Sequence, residues 1–442
     1  MSFNIDKQTL DELNLMGKFR QGSVYHLFNR TKTRGGEQLL DKMFRHPLGS
    51  SDAINERSRI FHFFQQAGHT FPFDALQVTF MHEYLDTGGS RNAAFTMASL
   101  LVIKSLAVLT RDERYKEIIQ RMHATIITLN KCRAFVASLR HAPEPYAGHI
   151  AAIRDILESS QVKDLSNIDI YQSIPMKTLS HYDSLLKGKL RQKMGSVLAF
   201  IYETDVYIAV GSVAAEKNFG YAAALPPEAN VFSAKDLRHP CLSKAVGNNV
   251  MMEKDSNVLF LTGANMAGKS TLMKSIGIGF YLAHMGFPVA ASGMEFSVRE
   301  GLYSSINVAD NIGLGYSHFY AEVVRVKQAA LAAASGKRLL LMFDELFKGT
   351  NVKDAYDGTL AVTEGFAGFR ECLFIVSTHI IEVGEALKEL DNIRFAYMPT
   401  IMEGAHPRYT YRLQEGITED RQGMMIIRNE GILELLNFSV SG

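Results

Sequence analysis

The chain has 442 residues, 47% of them hydrophobic, and this length exceeds one ordinary core and predicts two or three domains. Its 47 Lys and Arg oppose 46 Asp and Glu, a net charge of +1 that excludes a global attraction to nucleic acid, so any DNA contact must be local. Cys132, Cys241 and Cys372 are far apart and lack metal-ligand spacing, which excludes a disulfide framework or zinc site and points to a reducing cytoplasm.

The first segment with a character of its own runs from Lys18 to Arg45, where Lys18, Arg20, Arg30, Lys32, Arg34, Lys42 and Arg45 outnumber Glu37 and Asp41. Taken alone, such a run is a solvated surface. Ala93 to Leu109 is apolar but interrupted by Lys104 and falls short of the ~18 to 20 residues of a membrane span, which predicts a buried helix and no membrane partner. Thr110 to Leu139, with Ile118, Ile119, Met122, Ile126, Ile127 and Leu129, predicts an extended amphipathic helix. Pro143, Pro145 and Pro175 then break the pattern, and Gln192 to Lys217 resumes it as a second long helix. Two long helices joined by a compact crossover make a lever.

At Leu225-Pro226-Pro227 the composition changes to short apolar strands, Gly turns and helices, so the boundary is placed there, between residues 1–225 and 226–442. Val258 to Thr262 reads as a buried strand. Gly263-Ala264-Asn265-Met266-Ala267-Gly268-Lys269-Ser270 fills every position of G-x-x-x-x-G-K-[ST], and a helical pattern leaves it from Leu272 to His284. Strand before and helix after are the context a phosphate-binding loop requires. Backbone N–H groups from Gly263 to Thr271 would surround phosphate oxygens, Lys269 would reach the β- and γ-phosphates of ATP, and the Ser270 hydroxyl would ligate Mg²⁺.

Leu339 to Phe343 reads as a further strand, ending in Asp344 and Glu345. Asp344 suits Mg²⁺, which prefers hard oxygen ligands, and leaves Glu345 to orient and deprotonate the attacking water. A third strand, Leu373 to Ser377, leads into Thr378 and His379, an imidazole placed to donate to the γ-phosphate or the water. All three strands end in polar groups, the edge at which open α/β sheets bind ligands.

These residues resemble the MutS proteins of DNA mismatch repair, within the ABC-type dimeric ATPases. Thr262 to Thr271 resembles the family's TGPNMGGKST, Asp344 to Asn351 its DEIGRGTS, and Ser377-Thr378-His379 its ATH. Leu237-Arg238-His239-Pro240 and Pro288-Val289-Ala290-Ala291 are similar to its RHP and VPA segments, and residues 5–40 to the opening of its core and lever region. Asp310-Asn311-Ile312 with Ser317, Phe319 and Glu322 resembles the signature D-x-x-x-G-x-S-T-F-x-x-E. The LSGGQ run of transporter ATPases is missing.

The resemblance implies an α/β P-loop NTPase domain of the ABC/MutS type preceded by an all-α core/lever domain. It implies a homodimer through the ATPase domain, with Ser317 reaching the partner's nucleotide, ATP and Mg²⁺ as cofactors, and DNA and a repair protein as partners. The core-like sequence begins within the first ten residues, so the N-terminal wedge and connector domains of mismatch-sensing members are expected to be missing. Phe347 stands where the family motif has Gly; if that position needs a positive φ, the turn is expected to change to accommodate Phe. An ATP-driven protein-interaction switch that never touches DNA remains the alternative.

Overall fold

The structure is a computed structural model that describes residues 3–17, 22–90, 92–110, 113–170, 172–264, 266–306, 318–403, 406–418, 431–432 and 435–436. The chain divides into two compact units, one formed by Met1–Leu27, Phe44–Ser58 and Glu216–Gly442, the other by Phe28–Met43 and Arg59–Ala215. The single boundary expected at 225/226 is therefore corrected twice. The strand Ala222–Leu225 pairs in parallel with Gly293–Ser297, which draws the segment before Pro226 into the C-terminal unit. The strand Asn4–Ile5 pairs with Gly301 and Leu302, which draws the N-terminus there as well. Hydrogen bonds spanning nearly 300 residues outweigh the local composition change at Pro226-Pro227.

In chain order the strands of the larger unit are β1 (Asn4–Ile5), β2 (Ala222–Leu225), β3 (Phe232–Leu237), β4 (Asn248–Met252), β5 (Val258–Thr262), β6 (Gly293–Ser297), β7 (Gly301–Ser305), β8 (Leu339–Asp344), β9 (Leu373–Ser377), β10 (Ile393–Tyr397), β11 (Thr400–Glu403), β12 (His406–Tyr409) and β13 (Gln414–Glu415). Seven of them form one sheet in the order β1-β7-β8-β9-β5-β10-β13, parallel except for β13. β2, β6, β3 and β4 form a smaller mixed sheet. The three strands expected from the sequence are β5, β8 and β9, side by side with β9 in the middle.

β5 and β9 are buried at every residue and β8 at all but Asp344, as expected for parallel strands covered on both faces. On one face Phe343, Phe366 and Phe374 stack, with ring centroids 5.3 and 4.9 Å apart. Phe366 belongs to the helix Val352–Ala367, whose first turn is capped by the Asn351 side chain accepting from the Asp354 amide. The helix Lys269–His284 follows β5 and buries thirteen of its sixteen residues. Its start at Lys269, three residues before the expected Leu272, brings Lys269 and Ser270 into the first turn.

In the other unit the described residues carry helices only. Thr110 to Leu139 materialises as the helix Arg114–Ser138, and Gln192 to Lys217 as the helix Arg191–Lys217, which buries fourteen of its 27 residues. For Ala93 to Leu109 the expected helix forms, and the expected burial is overturned. That segment forms an uninterrupted helix, Ala93–Thr110, 18 residues long with mean hydropathy 1.8, and only Thr96 and Leu100 are buried. Phe95, Leu101, Val102, Leu106, Val108 and Leu109 are exposed. Apolar composition predicted burial, but only one narrow stripe of the helix meets a neighbour in its own unit. Exchanging both Val108→Ser and Leu109→Ser should therefore change stability by less than about 0.5 kcal/mol in a thermal melt, the usual effect at an exposed site. A loss of about 2 kcal/mol or more would place these side chains in a core.

Candidate functional site at the carboxyl edge of the large sheet

β5 ends at Thr262 and the chain turns through 263–268 before the helix Lys269–His284 begins. Three described residues of this turn have left-handed backbone: Gly263 at φ +137°, Met266 at +69° and Gly268 at +106°. Glycine is needed at both ends for reasons of space as well as conformation. A Cβ on Gly263 would lie 3.2 Å from the Met398 carbonyl oxygen, and one on Gly268 would lie 3.0 Å from the Tyr411 ring. Ala267 is buried, Met266 is exposed, and Ala264 lies between those extremes. Asn265 and Ser317 lie outside the described residues.

Lys269 is buried, and its Nζ donates to the carbonyl oxygens of Gly263 at 2.8 Å and Ala264 at 3.2 Å. Burial lowers its pKa, while the nearby carboxylates Asp344 and Glu345 oppose that shift. The Ser270 hydroxyl donates to one carboxylate oxygen of Asp344 in a short contact. The other, Asp344 Oδ1, is buried and has no hydrogen-bond partner. Burial pushes the Asp344 carboxyl above its usual value, against the Ser270 bond and the neighbouring Ser377 hydroxyl, whose oxygen is likewise buried outside hydrogen-bond geometry. A buried carboxylate oxygen lacking a partner beside a hydroxyl is a donor set that suits a hard cation. Among the described residues no group of three or more His, Cys, Asp or Glu could hold a metal without further ligands. Mg²⁺, which keeps several waters and takes phosphate oxygens, fits such a sparse set.

Glu345 follows at φ +53°, its amide bonded to the Ser377 carbonyl oxygen at 2.8 Å, so the end of β8 is stitched to the end of β9. Its carboxylate lies 3.7 Å from His379 Nδ1 and 4.0 Å from Lys348 Nζ. Both distances exceed a hydrogen bond, so the coupling is chiefly between charges. His379, ahead of burial in weight, holds Glu345 below the usual carboxylate range, and Glu345 in turn raises His379. The structure thus gathers Gly263, Gly268, Lys269, Ser270, Asp344, Glu345 and His379 at one sheet edge. Thr271 is exposed there on the first turn of the helix.

One correction concerns Phe347. The turn does not change to accommodate it: Phe347 adopts φ +61° and buries its ring.

Beside Gly268 and Thr271 lies a cavity of about 280 Å³, also lined by Val246, Asn248, Met398 and Tyr411. Asn248 closes its wall by donating to the Tyr411 carbonyl at 3.0 Å and accepting from the Leu413 amide at 2.7 Å. Sequence reasoning missed these residues. No local pattern links Asn248 to Tyr411 across more than 160 positions.

A parallel sheet with a glycine-bracketed turn and carboxylates at its strand ends defines an α/β domain with a ligand site at the carboxyl edge. Comparison with known proteins identifies the kind. Residues 259–435 match MutS domain V, the family's P-loop ATPase domain, and residues 8–168 match MutS domain III, its helical core. The chain belongs to the MutS family. It is similar to the DNA mismatch repair protein MutS of Lactococcus lactis subsp. cremoris, 22% identical over 98% of this chain and 62% of that protein. It is 24% identical to the DNA mismatch repair protein spellchecker 1 of Drosophila melanogaster, over 64% of this chain and 30% of that protein. The MutS of Wolbachia pipientis wMel is 26% identical, over 62% of this chain and 32% of its own length. The chain thus spans less than two thirds of these relatives.

Proposed function

We propose that this chain is a Mg²⁺-dependent ATPase in which two copies close on nucleotide through their ATPase domains. Binding and hydrolysis would move the helical levers acting on DNA in repair or recombination, without classical mismatch recognition. The contact between Ser270 and Asp344, with Asp344 Oδ1 left free in a buried position, carries this reading.

The residues take distinct roles. The turn 263–268 and the first turn of the following helix offer backbone N–H groups to phosphate, Asn265 and Thr271 included. Lys269 exchanges its bonds to Gly263 and Ala264 for the β- and γ-phosphate oxygens. Ser270 and Asp344 would hold Mg²⁺, which would supply neutralisation of phosphate charge. Glu345 orients and deprotonates the water, and His379 donates to the γ-phosphate or that water. The cavity beside Gly268 and Thr271 receives the base, where the Tyr411 ring and Val246 offer apolar surface. Ser317 of a second copy completes the site. A reducing cytoplasm, in which the three free cysteines stay reduced, is the compartment that suits this reading.

Family members bind DNA and form dimers, which supports the same assignment here. The test measures ATP turnover and the binding of labelled homoduplex, mismatched and branched DNA, with and without ATP, over a range of salt. DNA contacts through phosphate predict affinity that falls steeply as salt rises, with branched DNA preferred. No binding to any of the three at low salt would sink the DNA reading. It would leave the protein-interaction switch, which the exposed apolar helix Ala93–Thr110 favours.

A further inference from the structure

The segment that leaves β8 carries two non-glycine residues with left-handed backbone within three positions, Glu345 at φ +53° and Phe347 at +61°. For a bulky residue such as Phe this is a rare and costly conformation, so surrounding contacts must impose it. Those contacts are visible. Phe347 is 7% exposed, and its ring meets the Phe319 ring edge to face at 6.0 Å. Its other side fills a notch at Gly358, where a Cβ would come within 2.9 Å of the Phe347 ring. Between its two unusual residues the backbone is fixed as well: Thr359 Oγ1 donates to the Leu346 carbonyl at 3.3 Å, and the Thr350 amide to the Phe347 carbonyl at 3.3 Å. Gly349 completes the packing, since a Cβ there would lie 3.2 Å from the Phe319 amide nitrogen.

The turn is thus clamped between the helix Val352–Ala367, which supplies Gly358 and Thr359, and the start of the helix His318–Ala334, which supplies Phe319. Two residues back along this backbone sits the Glu345 carboxylate, half-buried beside His379. At the position where the family motif has Gly, this chain holds a positive φ with a large ring locked between two helices.

We propose that Phe347 is a positioning residue for ATP hydrolysis: its ring, held by Phe319 and the Gly358 notch, fixes the left-handed turn that aims Glu345 at the attacking water. The proposal rests on the ATPase reading and adds a residue to it. It also makes the aim of Glu345 depend on the first turn of the helix His318–Ala334, which follows directly on Ser317.

The test compares Phe347→Ala, Phe347→Gly, Phe347→Leu and Gly358→Ala with the unsubstituted chain, measuring turnover, KM, binding of a fluorescent ATP analogue and melting temperature. Phe347→Ala should lower turnover on the order of 10- to 100-fold, the scale of a misplaced reacting group, with analogue affinity held within about twofold because Lys269 and Ser270 are untouched. Phe347→Gly should lose as much, although Gly tolerates the backbone angle, because the ring rather than the angle is what is missing. Gly358→Ala should act in the same way by displacing the ring. Phe347→Leu keeps most of the buried apolar volume and guards against loss of folding; it should melt closer to the parent than Phe347→Ala does and recover part of the turnover. Parental turnover in both Phe347→Ala and Phe347→Gly would overturn the proposal, as would equal losses of affinity and turnover in Phe347→Leu. An unsubstituted chain that binds no Mg²⁺-ATP would overturn the ATPase reading itself, a result distinct from either.

Discussion

Glu345→Gln should bind Mg²⁺-ATP as the parent does while turnover falls about 10²- to 10⁴-fold, the range expected for loss of a general base. The exchange keeps the shape of the side chain, its place after β8 and the bond from its amide to Ser377, and removes only the charge. That charge is present across the neutral range, because His379 holds the Glu345 carboxyl below its ordinary value of 4.5. The influence is mutual, with Glu345 raising His379 above 6.5. Taken as stability, the raised histidine contributes below its unfolded value, and that contribution is lost as pH rises through its folded value. The depressed carboxylate contributes above its unfolded value and loses this as pH falls through its folded value. The pair therefore stabilises most between about pH 4.5 and 6.5, and only modestly, since both side chains meet solvent. For turnover the sign is plainer. His379→Gln removes the main influence that depresses Glu345, so the acid limb of the pH–turnover profile should move to higher pH. An acid limb at the same pH in this variant, or Glu345→Gln turning over at the parental rate, would remove Glu345 from the role of base.

Much of this site was legible because its chemistry is local. β5, β8 and β9 are apolar runs, and each leads at its carboxyl end into residues proposed for the site: Gly263 to Ser270, Asp344 with Glu345, and His379. Other features depend on pairings that no sequence window contains. β1 is two residues long and exists because Gly301 and Leu302 offer it an edge; β2 is an alanine-rich strand whose partner lies some 70 residues on. The apolar composition of the helix Ala93–Thr110 speaks of affinity for apolar surroundings and not of which surroundings are present, and the structure leaves most of its side chains exposed. Phe347 is the converse case. Its side chain argued against a positive φ, and the cost was visible in sequence while the ring contacts that offset it were not.

Asp205→Ala should destabilise the helical unit by about 3 to 5 kcal/mol, the cost of leaving several buried donors without their acceptor. Asp205 lies on the helix Arg191–Lys217 and is 1% exposed. Its carboxylate accepts from the Lys32 amide at 2.9 Å and from both the amide and the hydroxyl of Thr33 at 2.7 Å. The Thr33 hydroxyl in turn accepts from the Gly36 amide at 3.0 Å, in the first turn of the helix Arg34–Arg45. Ala at 205 leaves three donors at the entry to that helix without an acceptor, each worth about 1 to 3 kcal/mol when buried. The approach is so close that a Cβ on Gly36 would lie 2.4 Å from Asp205 Oδ2, and one on Gly35 would lie 2.3 Å from the Tyr202 ring. Gly36→Ala should therefore be destabilising in the same direction. The ionisation of Asp205 gives the prediction a second edge. Burial, its largest influence, raises the carboxyl above 3.8, so the folded state holds the proton more tightly than the unfolded state. Stability from this group consequently declines as pH rises from 3.8 through the raised value, and Ala at 205 should erase that decline. Because the chain has no Trp, hydrogen exchange at the Lys32 and Thr33 amides is the direct measurement. Exchange unchanged by Asp205→Ala, or a loss below about 1 kcal/mol, would mean that these donors find water instead and that the glycine pair, rather than the carboxylate, holds the helices together.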